Sequence, residues 1–322
     1  MTKSSVVPAV AIITRTKNRP HFLERCIKSV LAQTERDFVH VILNDGGDKA
    51  EVEAVLARYP DARREVIHNK ESVGLSRGLN QAIRKSKSKF ITVLDDDDAW
   101  HKDRLLLGLK TMHDRDAKAS VIPMDIVIED VNDNGELVEL ERRPHPESWS
   151  GEVSLFKQAH RNYLSNGAVM YTRELYEELG GYDETLLTAE DWDFGIRLML
   201  KSNVEQVDSD VALMYYHQRP RVQDLDIGNS VHAGVREQER TIMKLRNDYL
   251  RRDILNGVFG IGYIMNHSEQ ELINLERVEG HINRTNAELK QAVLDRVNHD
   301  VEHLIRKHSL YDAMKRKFRK NS

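Results

Sequence analysis

Short apolar runs alternate with helix-period stretches over the first hundred residues. Val10 to Thr14 reads as a strand, and Pro20 to Thr34 then sets Leu23, Ile27, Val30 and Leu31 on one helical stripe with a proline suited to the first turn. The alternation continues through Phe38 to Leu43 (strand), Ala50 to Tyr59 (helix), Glu65 to His68 (strand), Leu75 to Lys85 (helix) and Phe90 to Leu94 (strand). Strands separated by helices predict an α/β fold, a parallel sheet covered on both faces. Ligands of such sheets sit at the carboxyl ends of the strands, so the loops after Thr14, Leu43 and Leu94 should converge on one crevice.

The rhythm changes after about residue 115. Ser120 to Glu129 and Glu136 to Glu141 flank Asn132, Asp133, Asn134 and Gly135, which predicts a strand pair joined by a tight turn. Helices over Thr172 to Leu179 and Glu190 to Lys201 and a strand over Val211 to Tyr216 follow. From Asn229 onward helix formers and charges dominate. The expected organisation is two halves, 1–115 and 116–228, followed by a helical C-terminal region (229–322).

Composition narrows the function classes. The chain has 322 residues, 40% hydrophobic and 31% charged, which suits a globular protein and excludes disordered or fibrous classes. Lys and Arg number 48 against 52 Asp and Glu, a net −4, so no chain-wide positive field favours nucleic acid. The apolar run Val6 to Ile13 contains Pro8 and is too short for a membrane span, so it reads as a core strand rather than a secretory signal. Cys26 is the one cysteine, which leaves no internal disulfide and points to a reducing, cytoplasmic compartment. It falls near the first helix's apolar stripe and reads as an inert buried thiol.

Phe90-Ile-Thr-Val-Leu-Asp-Asp-Asp-Asp-Ala-Trp100 carries the most chemistry. Adjacent aspartates repel one another, and a cluster directly after a buried strand calls for a cation or proton to offset it. Asp95 and Asp97 flank Asp96 and offer hard oxygen ligands of the kind Mg2+ or Mn2+ takes. The same run also reads as a solvated loop capping a helix near His101.

Several segments together resemble the family-2 glycosyltransferases of the GT-A fold, in that family's order. They are Ile-Thr-Arg-Thr-Lys-Asn-Arg-Pro (13–20), Ser-Val-Leu-Ala-Gln-Thr (29–34), Leu-Asn-Asp-Gly-Gly (43–47), Gly-Leu-Ser-Arg-Gly-Leu-Asn (74–80), the aspartate cluster, Ser-Asn-Gly-Ala (165–168) and Ala-Glu-Asp-Trp-Asp (189–193). The resemblance covers about two-thirds of the chain, Val10 to His217. Asn44 stands where the family often has a first aspartate, and Lys17 where it often has tyrosine.

The resemblance implies a Rossmann-like, mostly parallel sheet and metal-dependent, inverting transfer of a sugar from a UDP-, GDP- or dTDP-linked donor to a glycan or lipid-linked acceptor, as in surface polysaccharide synthesis. Asp95, Asp97 and His217 are the expected metal contacts, with Mn2+ or Mg2+ stabilising the departing diphosphate as a Lewis acid. Arg15, Thr16, Asp45, Arg77 and Asp96 are expected at the donor, and Gly167, Glu190 and Trp192 at the acceptor. Asp191 is the expected base for the attacking hydroxyl, with Glu190 and Asp193 as rivals and a helix cap as the plain reading. Trp192 fits either a sugar platform or the core. A phosphoryl-transfer enzyme and a nucleotide-sugar-binding protein without turnover are the alternatives. The first strand's lack of an aspartate disfavours the former, and Asp191 the latter.

Leu245, Leu250, Ile254, Leu255, Leu272, Leu275, Val278 and Ile282 fall at helical spacings that suit packing on the catalytic region or on another subunit. Val301 to Phe318 forms an amphipathic stretch, with Lys315, Arg316, Lys317, Arg319 and Lys320 as a basic end, a pattern that suits peripheral contact with an anionic membrane and equally a solvated tail.

Overall fold

The structure, a computed structural model, describes residues 7–132, 136–146, 148–149, 153–220, 235–267, 277–280 and 282–296. The chain divides into two units, Met1–Met265 and Asn266–Ser322. The second contributes helical segments over 277–280 and 282–296, in which Val278 and Ile282 are exposed. The amphipathic stretch from Val301 and its basic residues lie outside the described residues. Among the described residues no helix is long and apolar enough to cross a membrane.

In the first unit, strands β1 (Val10–Thr16), β2 (Phe38–Asp45), β3 (Arg64–Asn69) and β4 (Phe90–Val93) alternate with helices α1 (Pro20–Leu31), α2 (Lys49–Arg58) and α3 (Leu75–Lys85). β1 runs parallel to both β2 and β4, and β2 to β3, as the alternation predicts. Val10, Ala11, Ile12 and Ile13 are wholly buried, as a strand covered on both faces requires. On one face α1 brings Leu23 and Ile27 against Ile42, Val52, Val55 and Leu56.

After β5 (Ala99–Trp100) and α4 (Arg104–Asp114) come β6 (Ala119–Val121), β7 (Met124–Val131) and β8 (Leu137–Pro144). The stretch expected as one strand, Ser120 to Glu129, is therefore two. Pro123 has no amide N–H for a ladder, and the chain changes sheets there. The seven-stranded sheet has the order β10-β6-β9-β4-β1-β2-β3, with β9 (Val169–Thr172) antiparallel to both β4 and β6, and β10 (Glu205–Gln206) at the edge. The two expected halves thus share one sheet.

A second, four-stranded sheet has the order β5-β11-β7-β8. β11 (Met214–Gln218) begins three residues later than expected, because Leu213 bonds through its N–H to Pro123 before pairing with β7 starts at Met214. His217 consequently lies inside the strand, opposite Val127, rather than after it.

Between β8 and β9 lies α5 (Leu155–His160), and between β9 and β11 lie α6 (Arg173–Glu178) and α7 (Glu190–Lys201). Helix α8 (Val235–Asn256) belongs to the first unit: Leu245 and Tyr249 pack with Met265 on Ala159, Leu186, Trp192 and Ile196. The compact unit accordingly extends to Met265 instead of ending near 228.

Candidate active site

β4 ends at buried Val93, buried Leu94 follows, and the aspartates after it form the turn by which the chain leaves the large sheet for β5 of the small one. Asp98 closes this turn with an N–H bond to the Asp95 carbonyl, 3.2 Å. Each aspartate meets a different environment. Arg19, just before α1, pairs with Asp96 and lies 3.5 Å from Asp97. Arg219, wholly buried just beyond β11, pairs with Asp97 and reaches Glu129 Oε2 at 3.1 Å. Asp98 Oδ1 accepts from the His217 backbone N–H at 2.9 Å, while its Oδ2 is buried with no hydrogen-bond partner. Among the described residues none donates a hydrogen bond to the Asp95 carboxylate.

The electrostatics follow. Desolvation, then repulsion from Asp98, Asp97, Asp96 and Asp191, raises Asp95 well above the ordinary carboxylate range. Burial lifts Asp96 to about 6, with Arg19 pulling the other way. Asp98 is raised by burial and then by Asp97. Burial, and next Arg25, lowers the His217 imidazole to about 4, so the ring is neutral at pH 7. Its Nδ1 lies 3.8 Å from Asp98 Oδ1 and its Nε2 3.9 Å from Glu129 Oε1. Of the expected metal contacts, the structure thus gathers Asp95, Asp97 and His217 around one turn. Among the described residues no trio of His, Cys, Asp or Glu side chains is arranged to hold a metal without other ligands.

On the β2 side, Asp45 is fully buried and holds its loop together. Oδ1 accepts from Asn69 Nδ2 (3.0 Å) and the Val73 N–H (2.9 Å), and Oδ2 from Ser72 Oγ (2.8 Å) and from Arg15 Nε (3.0 Å) and Nη2 (2.8 Å). Despite burial, these bonds, Asn69 first, hold its carboxyl below the usual value. A base reaching Asp45 would exchange with one of these donors. Thr16 is buried beside Asp96. Arg77, expected at the donor with Arg15, Thr16, Asp45 and Asp96, stands apart from them. It projects from α3 largely into solvent, and its ion-pair partner is Glu184 at 3.6 Å rather than Asp45.

Across from the aspartates stands the N-terminus of α7. Ala189, with φ +58, turns the chain through the left-handed region into the helix. Glu190 and Asp191 occupy the first turn, where unpaired N–H groups favour negative charge. Asp191 Oδ1 accepts from the Trp192 N–H at 2.8 Å. Desolvation raises its pKa against a hydrogen bond from Asn162. Glu190 is raised well above its ordinary value by burial, then by Asp191 and Asp95. The rival Asp193 faces the other way, bonded to Arg197 Nε (2.7 Å) and Tyr249 Oη (3.0 Å).

Two expected acceptor residues take packing roles instead. Trp192 is 4% exposed within the α7–α8 core, and its indole N–H donates to the Gln158 carbonyl at 2.5 Å. Gly167 gives its carbonyl to Trp100 Nε1 at 2.9 Å, and a Cβ there would meet Met214 Cε at 2.6 Å. The sequence reading missed Arg19, Arg25, Glu129 and Arg219. Arg19 lies inside the 13–20 motif and Arg219 two residues past His217, but neither motif indicates which carboxylate each would meet.

An acidic turn at the carboxyl end of a central parallel strand, facing a carboxylate-led helix across the crevice, is the plan of a GT-A glycosyltransferase. The sequence profile described as glycosyl transferase family 2 matches residues 11–180. This chain belongs to that family and is a glycosyltransferase. An uncharacterised glycosyltransferase of Methanocaldococcus jannaschii is 26% identical over 215 residues, 65% of this chain and 70% of its own. A glycosyl transferase of Escherichia coli K12 named for colanic acid biosynthesis is 28% identical over 196 residues, 60% and 67% of the two chains. Among solved structures, the Pyrobaculum calidifontis mannosyltransferase with GDP-Man and Mn2+ aligns with TM-score 0.56 at 17% identity, covering 77% of this chain and 65% of that one. S. aureus TarS 1-349 with UDP-GlcNAc aligns with TM-score 0.54 at 20% identity, covering 66% and 60%. At these identities the structures share the fold.

Proposed function

We propose that the enzyme transfers a sugar from a nucleoside-diphosphate donor to a hydroxyl of a glycan or lipid-linked acceptor in surface polysaccharide synthesis, with inversion and with Mn2+ or Mg2+. The observation that carries this reading is that the acidic turn and the start of α7 share one crevice, near enough that the Asp191 charge helps raise Asp95 and the Asp95 charge helps raise the buried Glu190, which is held by Asn166 Nδ2 at 3.1 Å. Such opposition suits a crevice that takes up a cation on one side and a proton on the other.

The acidic turn fits a divalent ion. Its carboxylates are hard donors, Asp98 Oδ2 is buried with no hydrogen bond, and ions of this kind are commonly held by one or two carboxylates with substrate phosphates completing the shell. Asp95 and Asp97 would hold the ion, with neutral His217 beside them. Bound there, the ion would stabilise the negative charge that builds on the departing diphosphate. Asp191 takes the acceptor's proton as the hydroxyl attacks the anomeric carbon. A single displacement with one base gives inversion. Arg15, Thr16, Asp45 and Asp96 line the donor side, with Arg77 contributing after parting from Glu184. The solved neighbours that carry UDP-GlcNAc and GDP-Man support a nucleotide-sugar donor without choosing the base. A cytoplasmic location suits the lone buried thiol. The basic tail beyond residue 301 would bring the enzyme to the membrane face, and the C-terminal helices would serve self-association.

A thermal-shift screen of UDP-, GDP- and dTDP-sugars with and without Mn2+ tests this reading. A cognate donor should raise the unfolding midpoint in a Mn2+-dependent way. Asp97→Ala should remove that dependence. Asp191→Asn should keep donor binding and lose most of kcat. Donor binding indifferent to Mn2+, or near-normal kcat in Asp191→Asn, would overturn the corresponding part.

A further inference from the structure

The Ser-Asn-Gly-Ala segment spends its glycine on packing against Met214, and its asparagine still lacks a role. Asn166 sits between two groups that fix it. Tyr182 Oη donates to Asn166 Oδ1 at 2.9 Å, and Asn166 Nδ2 donates to Glu190 Oε1 at 3.1 Å. Behind Tyr182, the Tyr171 hydroxyl lies 3.2 Å away. With Glu190 ionised, these bonds allow one proton order. The carboxylate of Glu190 accepts, so the Asn166 amide must present its N–H there and its oxygen to Tyr182. The Tyr182 oxygen is then left to accept from Tyr171. A flipped amide would set two oxygens against each other at Glu190.

The surroundings keep this chain in place. Tyr171 and Tyr182 are each 2% exposed, and Phe194 stacks on the Tyr182 ring with centroids 4.5 Å apart. A cavity of about 10 Å³ is bounded by Asn166, Tyr171, Tyr182 and Asp191, about the room one water needs. The chain thus bonds Glu190 directly and faces Asp191 across a space sized for a single water.

The geometry points to Tyr182 and Asn166 as positioning residues that hold the Glu190–Asp191 pair in register for acceptor activation. Their observed bonds run to Glu190 at the start of α7, so they act through the carboxylates of that helix. The inference rests on Asp191 being the base.

Hydrolysis of UDP-GlcNAc and of GDP-mannose with Mn2+, in which water takes the acceptor's place, tests it on the full chain. Tyr182→Phe keeps the ring and its stacking while removing the hydroxyl. It should lower kcat about tenfold with donor KM unchanged, the size expected for losing one positioning hydrogen bond, and lower the unfolding midpoint only by the modest amount that one buried hydrogen bond contributes. Asn166→Asp, which replaces the N–H donor by a carboxylate oxygen facing Glu190, should lower kcat further. In an Asp191→Asn background Tyr182→Phe should cost nothing more, because the group it serves is gone. A merely structural role would instead multiply the two losses. Wild-type kcat in Tyr182→Phe, or an equal further loss in the Asp191→Asn background, overturns the inference. Full turnover of Asp191→Asn alone overturns the base assignment, a separate result. Should Tyr182→Phe unfold early, Tyr171→Phe, which removes only the terminal donor, carries the same comparison.

Discussion

His40 is buried in the middle of β2, its Nε2 3.0 Å from Thr14 Oγ1, and burial followed by the Arg64 charge lowers its pKa from 6.5 to about 3. The unfolded chain therefore takes up a proton near pH 6.5 that the folded one refuses until about pH 3. The stability this neutral ring contributes is complete above pH 6.5 and is lost as pH falls toward 3. His40→Gln removes that linkage. Between pH 7.5 and 5.0 the wild type should lose about 2 kcal/mol more than the variant in urea unfolding. Equal losses would mean that His40 titrates normally. The carboxylates raised around Asp95 run the opposite way, destabilising the fold as they ionise, so the comparison with the variant isolates the histidine. At this scale the sequence was legible where residue type alone determines the chemistry. Four adjacent aspartates after a buried strand call for a cation or proton to offset them, and Arg19 and Arg219 are two cations found beside them. Trp192 was illegible because position three of α7 suits a sugar platform and a core equally. Only the meeting with α8, across more than fifty residues, decides. Arg219 finds Asp97 over a separation of 122 residues, and no local pattern encodes that pair.

Among the elements, α7 does two jobs at once. Its first turn presents Glu190 and Asp191 to the crevice while Trp192 and Ile196 lock its flank under α8. Loosening α8 should therefore disturb catalysis from behind. Leu245→Ala, deep in that contact, should cost about 2–5 kcal/mol in chemical unfolding. It should lower kcat more than it weakens donor binding, because the donor loops of β1 and β2 lie on other elements. A loss of stability below 1 kcal/mol would mean that α8 is only loosely attached. Element boundaries were readable where local chemistry decides them: Pro20 opens α1, and the alternation to β4 is parallel as expected. The strand split at Pro123 and the late start of β11 depend on which sheet each residue joins, a tertiary choice that periodicity does not record.

For the whole molecule, the unit boundary at Met265 makes a direct prediction. A chain ending there keeps every residue of the crevice and the α8 contact. It should unfold cooperatively with the midpoint of the full protein and respond to nucleotide sugars in the same way. A chain ending at 228 lacks Leu245, Tyr249 and Met265, leaves Trp192 uncovered, and should be less stable. Far-UV melting of the two truncations distinguishes them, and equal midpoints would contradict the boundary.

β9 lies between β4 and β6 in the sheet but follows both in sequence, which sets an order on synthesis. A ribosome releases β1 to β4 first, and their parallel pairing is complete while β4's far edge waits for a partner about eighty residues downstream. During that interval the nascent chain carries a bare, apolar strand edge next to four mutually repelling carboxylates, and the charges discourage a second chain from pairing where β9 belongs. Replacing Asp96 and Asp98 with asparagine should thus leave a longer-lived sticky intermediate, seen as more aggregate during refolding from urea at micromolar concentration. The acidic turn would then be a guard of biogenesis before it is a site of chemistry.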